Sequence, residues 1–193
     1  EPERFGSGQL FVEPARLQSV VTQLDAGGFR VHIHTIGDRA VRTALDAFAA
    51  ARKSNGPRDA RHTLAHLSLI DPADVRRFRE LGVVANMSPY WGHGNPWETV
   101  FGARMFGPER ALRYRTRTLL DAGVVIAWGS DWPVSSVSPL AGIEVALSRR
   151  HPGGRDEHGA EDSAWLPHER VTLAEAIAAY TAGGAWLNHE ENL

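Results

Sequence analysis

The chain has 193 residues, of which 42% are hydrophobic and 23% are charged, a composition typical of a globular protein that can bury a core. A net charge of −2 and a pI near 6.5 argue against nucleic acid or an anionic membrane as the partner. Cysteine is absent, which excludes disulfides and thiolate metal sites but does not settle the compartment.

No membrane-spanning or secretory segment is predicted. The longest apolar stretches fall well short of the ~20 residues that span a bilayer, and no signal peptide opens the chain. We therefore expect a cytoplasmic protein with no membrane contact. The first residue is Glu1 rather than methionine, so we also expect a processed or excised segment that lacks an N-terminal region.

Apolar periodicity predicts short strands that alternate with helices. The first helix stops at Gly27-Gly28, Asp38 is expected to cap the second, and Asp71-Pro72 begins the third with an N-cap followed by proline. The predicted helices are 17–24, 39–53, 72–81, 139–149 and 172–181. The predicted strands are 29–34, 62–66, 83–87 and 124–128. An irregular stretch at 88–97 precedes further helical segments that end at 121–123.

This alternation favours parallel βα units. His34 and His66 are 32 residues apart, which is the length of one unit, and the 65 residues from His66 to Asp131 leave room for two. The spacing predicts about four parallel βα units of an α/β domain over 1–193. A closed barrel needs eight strands and typically about 250 residues. An open doubly wound sheet fits the length, but it usually gathers its ligands at one switch point.

Three metal-binding residue types each follow a predicted strand. They are His34, His66 and Asp131. In parallel α/β folds, ligands and catalytic groups gather at the carboxyl ends of the strands. Zinc accepts imidazole nitrogen and carboxylate oxygen, so the three residues predict a zinc-type site.

Four segments carry a resemblance to a known family: VHIHTIGDRAV, RHTLAHLSLI, NMSPYW and GSDWPV. They resemble the amidohydrolase superfamily, and within it family 3, which includes N-substituted formamide deformylases and exoenzyme-regulatory-type proteins. The resemblance covers most of the chain, from about Phe11 to Trp186. It implies the second half of a TIM-like (β/α)₈ barrel of a metal-dependent hydrolase.

By this resemblance, His34 ends the fifth barrel strand, His66 the sixth and Asp131 the eighth, and all three are metal ligands. The His-x-His pair of the first strand and the ligand of the fourth would lie upstream of Glu1. The small β-sandwich that family members build from both termini is absent as well. The chain therefore resembles the C-terminal half of the catalytic barrel.

The implied chemistry is hydrolysis of a C–N bond in an amide, formamide or cyclic amide by metal-activated water. The expected cofactor is a divalent metal, zinc, as one or two ions. Bound metal lowers the pKa of water to about 7. Asp131 is the candidate to move the proton, and His66 either binds the metal or hydrogen-bonds to the water.

Aromatic residues at the same end of the predicted strands are candidates for substrate binding. They are Tyr90, Trp91 and Trp132, and packing of the loops onto the barrel is an equal alternative for the first two. His62 and Arg61 are expected to be structural. His32 shares a strand face with His34, but we expect it to point into the barrel interior rather than to the metal.

The main alternative to an amidohydrolase is a half-barrel fragment without activity of its own. Its two outer strands would have unpaired edges, so we expect poor folding or edge-to-edge dimerisation. The expected partners are a small-molecule amide and either a second copy or the missing N-terminal half. A complete small domain that binds a sugar or phosphate is a weaker alternative, because no Gly-rich phosphate loop follows a strand.

Overall fold

The computed structural model describes residues 9–94, 113–155, 158, 161 and 163–192. The strands are β1 (His32–Thr35), β2 (Thr63–His66), β3 (Val84–Met87) and β4 (Ile126–Trp128). The helices are α1 (Pro14–Ala26), α2 (Asp38–Asn55), α3 (Val75–Leu81), α4 (Thr116–Asp121), α5 (Pro139–Ser148), α6 (Leu173–Tyr180) and α7 (Ala182–Leu187). The irregular stretch predicted at 88–97 begins as a 3₁₀ turn, Pro89–Gly92. Its residues from 95 onward, and the helical segments predicted up to 112, lie outside the described residues.

The four strands form one parallel sheet in chain order, β1-β2-β3-β4. The register places His34 beside Ala65, Ala65 beside Asn86, and Asn86 beside Ala127. All four carboxyl ends therefore lie along one edge of the sheet, as predicted. Parallel strands in sequential order with intervening helices are the architecture of half a (β/α)₈ barrel.

The helix ends follow local chemistry, with one correction. Asp71 accepts a hydrogen bond from the Ala73 amide at 2.9 Å, which confirms it as an N-cap. Gly82 ends α3 in the left-handed region at φ 68°, where a side chain would be strained. The predicted cap at Asp38 is wrong. Gly37 occupies the N-cap position and Asp38 is the first helical residue, where its carboxylate accepts the amide of the next residue at 2.8 Å.

One face of α2 is apolar and buried. Val41, Ala44, Leu45 and Phe48 are all in the core, where they share one cluster with Leu64 of β2. The hydrophobic effect thus joins the helix layer to the sheet and holds the strand ends in place. Among the described residues, no helix is both long and apolar enough to cross a membrane.

The end of the chain joins the two outer strands. The Val125 carbonyl accepts a hydrogen bond from the Ala85 amide of β3. Successive carbonyls of a strand point to opposite sides. The Ile126 carbonyl therefore points away from β3, to the outer edge of β4. Gly183 of α7 packs against this carbonyl so closely that a side chain would not fit. No strand pairs with either outer edge in the described part of the chain, but α7 covers part of the β4 edge.

Two arginines hold the other end of α7 at the start of β1 and β2. Arg30 donates to the Leu187 carbonyl, and Arg61 donates to the Trp186 carbonyl. The Arg61 guanidinium also pairs with Glu191 at 2.7 Å and lies 3.9 Å from the Trp186 ring centre. The structural role predicted for Arg61 is therefore confirmed, and it takes the form of an ion pair.

A buried polar cluster lies where α1 and α2 meet the start of the sheet. The Asp25 carboxylate accepts from Asn55 at 2.8 Å, from Arg58 at 2.5 Å and from His62 at 3.1 Å. The His62 ring stacks on Phe48 with its centre 4.6 Å away. These contacts confirm that His62 is structural.

The hydrogen bonds define the protonation state of His62. Its Nδ1 accepts the Val31 amide at 3.1 Å, so this nitrogen carries no proton and Nε2 donates to Asp25. Burial lowers the pKa of His62, and the neighbouring Asp25 only partly offsets this effect. Protonation of Nδ1 would break the bond to Val31, so the fold requires the neutral ring.

We predict that the free energy of unfolding falls as the pH drops below about 6.5, the ordinary pKa of histidine, which the unfolded state retains. A depressed folded-state pKa means that the unfolded chain binds more protons in this range, so acid favours unfolding. Urea denaturation at pH 7.5 and 5.0 measures the difference. His62→Gln should reduce the pH dependence, and an unchanged dependence would contradict this assignment.

Candidate active site

The structure brings the three predicted strand-end residues together. The Nδ1 atom of His34 lies 2.7 Å from the Nε2 atom of His66, a hydrogen bond across β1 and β2. The other ring nitrogen of His66, Nδ1, lies 3.9 Å from the Asp131 carboxylate. His66 is therefore the central residue of the group, with an imidazole on one side and a carboxylate on the other.

Left-handed backbone turns the chain at two of these strand ends. His66 has a φ of 70°, Leu67 a φ of 53° and Asp131 a φ of 59°. A left-handed conformation costs a non-glycine residue roughly 1–2 kcal/mol. Hydrogen bonding of the Leu67 amide to the Thr35 carbonyl at 3.0 Å and full burial of the Leu67 side chain hold the first turn. Such strain is characteristic of functional sites.

A cavity of about 230 Å³ opens at this edge of the sheet. Its lining combines polar strand-end side chains with a few backbone and apolar surfaces. The lining residues are His32, His34, Ala65, His66, Asn86, Met87, Ser88, Gly129 and Asp131. The cavity is smaller than the roughly 300–1,000 Å³ of most ligand pockets, as expected if another part of the barrel completes it.

Burial favours the neutral form of two of the imidazoles that line the cavity, His66 and His32. Burial lowers the pKa of His66, although the Asp131 carboxylate opposes this effect. Burial also lowers the pKa of His32, and the nearby His34 and His66 rings lower it further. A neutral imidazole has a free lone pair, which is the state that a metal ligand requires.

The donor types suit a divalent metal, but the described residues do not form a complete metal site. The facing nitrogens of His34 and His66 are the ligands that zinc takes most readily. No group of three or more His, Asp or Glu side chains in the described ranges is arranged to hold a metal ion. The histidine nitrogens are hydrogen-bonded to each other, and Asp131 approaches only the far side of His66. Within the described part of the chain, two nitrogen donors of the right type thus face each other, and no third donor joins them.

The three aromatic residues predicted to contact substrate do not line this cavity. The Trp91 ring packs against the hydrophobic core, and Tyr90 makes edge contacts with the rings of Trp91 and His93. Trp132 is 67% exposed. None of the three aromatic candidates is among the described residues that line the cavity, so their role in substrate binding stays a prediction.

The cavity also contains polar residues that sequence patterns did not single out for it. Asn86 donates to the Ala127 carbonyl at 3.0 Å, which leaves its amide oxygen as a further acceptor. Ser88 directly follows β3, just as His66 is the last residue of β2. Its position at a strand end could therefore have predicted that it lines the cavity. His32 lines the cavity beside His34, and the ring centres are 5.7 Å apart.

Comparison with known proteins agrees with this fold and these motifs. Residues 3–193 match the model of the Amidohydrolase family. The chain is 33% identical over 187 residues to protein LONG AFTER FAR-RED 3 of Arabidopsis thaliana, covering 94% of the chain and 30% of that protein. It is 27% identical over 179 residues to N-substituted formamide deformylase of Arthrobacter pascens, covering 92% of the chain and 31% of that protein.

A solved structure gives the same result. An uncharacterized metal-dependent hydrolase from Pyrococcus furiosus superposes with a TM-score of 0.77 at 27% identity. The match covers 98% of this chain and 35% of the Pyrococcus chain. The fold is that of a partial (β/α) barrel of the metal-dependent hydrolase type. The chain belongs to the Amidohydrolase family, and it spans about a third of the length of these relatives.

We predict that isoleucine is tolerated at Leu64 but not at Leu67. Both leucines are fully buried, and Leu→Ile conserves volume. Isoleucine suits the strand at Leu64, whereas its branched Cβ is strained at the φ of 53° at Leu67. Urea denaturation should show Leu67→Ile to be more destabilising than Leu64→Ile by about 1–2 kcal/mol. Equal effects would show that the left-handed turn beside His66 is absent.

Proposed function

We propose that this chain is the downstream part of a metal-dependent amidohydrolase that cleaves a C–N bond in an amide, formamide or cyclic amide. The observation that carries the proposal is the meeting of His34, His66 and Asp131 in one cavity. Membership of the Amidohydrolase family supports hydrolysis. The similarity to a formamide deformylase supports a small amide as the substrate class.

We propose that His34 and His66 contribute two nitrogen ligands to a divalent metal, with zinc as the ion. A bound cation would lower the pKa of a water molecule and polarise the substrate carbonyl. Further ligands, and a second ion if there is one, would come from barrel strands outside this chain. The proposal therefore requires the hydrogen bond between the two imidazoles to open when a metal enters.

Asp131 is the proposed proton carrier. Its carboxylate would accept a proton from the attacking water while the water oxygen forms a bond to the carbonyl carbon. The same proton would then pass to the leaving nitrogen as the C–N bond breaks, which yields a carboxylic acid and an amine. His66 lies between the carboxylate and His34, so it would orient the water or bind the metal. Tyr90, Trp91 and Trp132 remain candidates for contacts to the rest of the substrate.

The chain can be tested in the context of a complete barrel. We predict that a chimera in which this chain replaces the matching segment of N-substituted formamide deformylase hydrolyses an N-substituted formamide. Asp131→Asn in the chimera should lower kcat by roughly 10²- to 10⁴-fold, because proton transfer is lost. Asp121→Asn is the matched control, since Asp121 is an exposed aspartate that pairs with Arg117 on α4. Full turnover by the Asp131 variant would refute the proposed mechanism.

The second candidate is a half-barrel without activity of its own that associates through its open edges. Apolar side chains are exposed on both flanks of the sheet. On one flank they belong to α1 and the segment after it, Val20, Leu24 and Phe29, and on the other to α5 and α6, Leu140, Leu173 and Ile177. We propose that further βα units cover these flanks, from either a second copy or the upstream half of the barrel.

We predict that the isolated 21.1 kDa chain self-associates in sedimentation experiments. Leu24→Glu should weaken association because it places a charge in the apolar flank of α1. Gln23→Glu adds the same charge at the neighbouring exposed position and is the control. A monomer that melts cooperatively would contradict coverage of these flanks by a second copy.

A further inference from the structure

A set of serine hydrogen bonds surrounds the backbone of Asp131. The carbonyl of Ser130 accepts the Ser88 hydroxyl at 3.2 Å and also the Ser135 hydroxyl. The Ser130 hydroxyl oxygen accepts the Trp132 amide at 3.2 Å. On the other side, the Asp131 carbonyl accepts the Val134 amide at 2.8 Å.

The Ser130 carbonyl belongs to the peptide bond that leads into Asp131. Two donors on this oxygen fix the plane of that peptide, and the plane in turn sets φ of Asp131. That φ is 59°, in the left-handed region that non-glycine residues rarely adopt. Without the two hydroxyls, the peptide could rotate and Asp131 could relax into ordinary backbone.

The two hydroxyls come from different parts of the chain. Ser88 is buried at the carboxyl end of β3, and Ser135 is half-buried just after the turn. One ties the peptide to the neighbouring strand, and the other closes the turn on itself. The backbone of Asp131 is thus coupled to β3, whose other neighbour in the sheet, β2, carries His66.

We propose that Ser88 and Ser135 are positioning residues that hold Asp131 in its left-handed conformation, with its carboxylate facing His66. The catalytic consequence rests on the function proposed above, but the effect on the backbone does not. Neither serine needs to touch the substrate. Each acts through the Ser130 carbonyl, so a hydroxyl at the position is required and an apolar side chain is not sufficient.

The test uses the isotopically labelled 193-residue chain, with the backbone chemical shifts of Asp131 and amide exchange at Val134 as readouts. Ser135→Ala should move the Asp131 shifts away from left-handed values and speed exchange at Val134 by roughly 3- to 10-fold, the effect of one lost hydrogen bond. Ser88→Ala should act in the same direction. Ser135→Thr keeps the hydroxyl and should retain wild-type values.

Ser136→Ala is the control, because the Ser136 hydroxyl oxygen accepts the Ser138 amide at 3.2 Å. It should leave Asp131 unchanged. Unchanged shifts and exchange in both Ser135→Ala and Ser88→Ala would overturn the proposal. Ser135 alone decides the question if the buried Ser88 variant does not fold, since Ser135 lies near the surface.

Turnover of the formamide deformylase chimera separates this inference from the proposed function. Ser135→Ala should lower kcat with little change in KM, and Ser135→Thr should restore it. A displaced Asp131 with unchanged turnover would support the positioning role and contradict the catalytic role of Asp131. An undisturbed Asp131 in Ser135→Ala, together with an inactive Asp131→Asn chimera, would overturn the positioning role and leave the proposed function standing.

Discussion

Parallel pairing of β1 to β4 in chain order is the constraint on which the rest of the structure depends. It brings together, at the carboxyl ends of the strands, residues that lie 32, 65 and 97 positions apart in the sequence. His34, His66 and Asp131 meet only because each ends its own strand at this edge. A one-residue change of register would reverse the direction of every side chain on a strand and would separate the group.

Packing at the amino ends of the strands, opposite the cavity, keeps this arrangement in place. The Asp25–His62 cluster joins α1 and α2 to the beginning of β2, and Arg30 and Arg61 hold the end of the chain nearby. Gly183 at the start of α7 contacts the outer edge of β4. The last helix, α7, therefore links the outer strand β4 to the start of β1 and β2. This link lies at the end of the sheet opposite the cavity.

The alternation of strands and helices, and the strand-end residues, could be predicted from the sequence because apolar runs and helix signals are local. His34 and His66 fall where these runs end. The left-handed turns at His66 and Asp131 could not be predicted, since only tertiary packing holds a non-glycine residue there. The cap at Gly37 was missed because Asp38 has the better local cap chemistry.

Interactions over long sequence distances were also beyond local patterns. Ser88 and Ser130 are 42 residues apart, and Arg61 and Glu191 are 130 apart. No periodicity or motif connects such pairs. The resemblance to amidohydrolases correctly indicated the family, and its assignment of His34, His66 and Asp131 as metal ligands stays a prediction.

The central claim is that His34 and His66 each provide a nitrogen ligand to the same metal ion. X-ray absorption at the zinc edge of the zinc-loaded formamide deformylase chimera tests this claim directly. We expect imidazole ligands at about 2.0–2.1 Å, with two of them lost in the His34→Ala/His66→Ala double variant and none lost in His168→Ala, which changes an exposed histidine. An unchanged ligand set in the double variant would contradict the account.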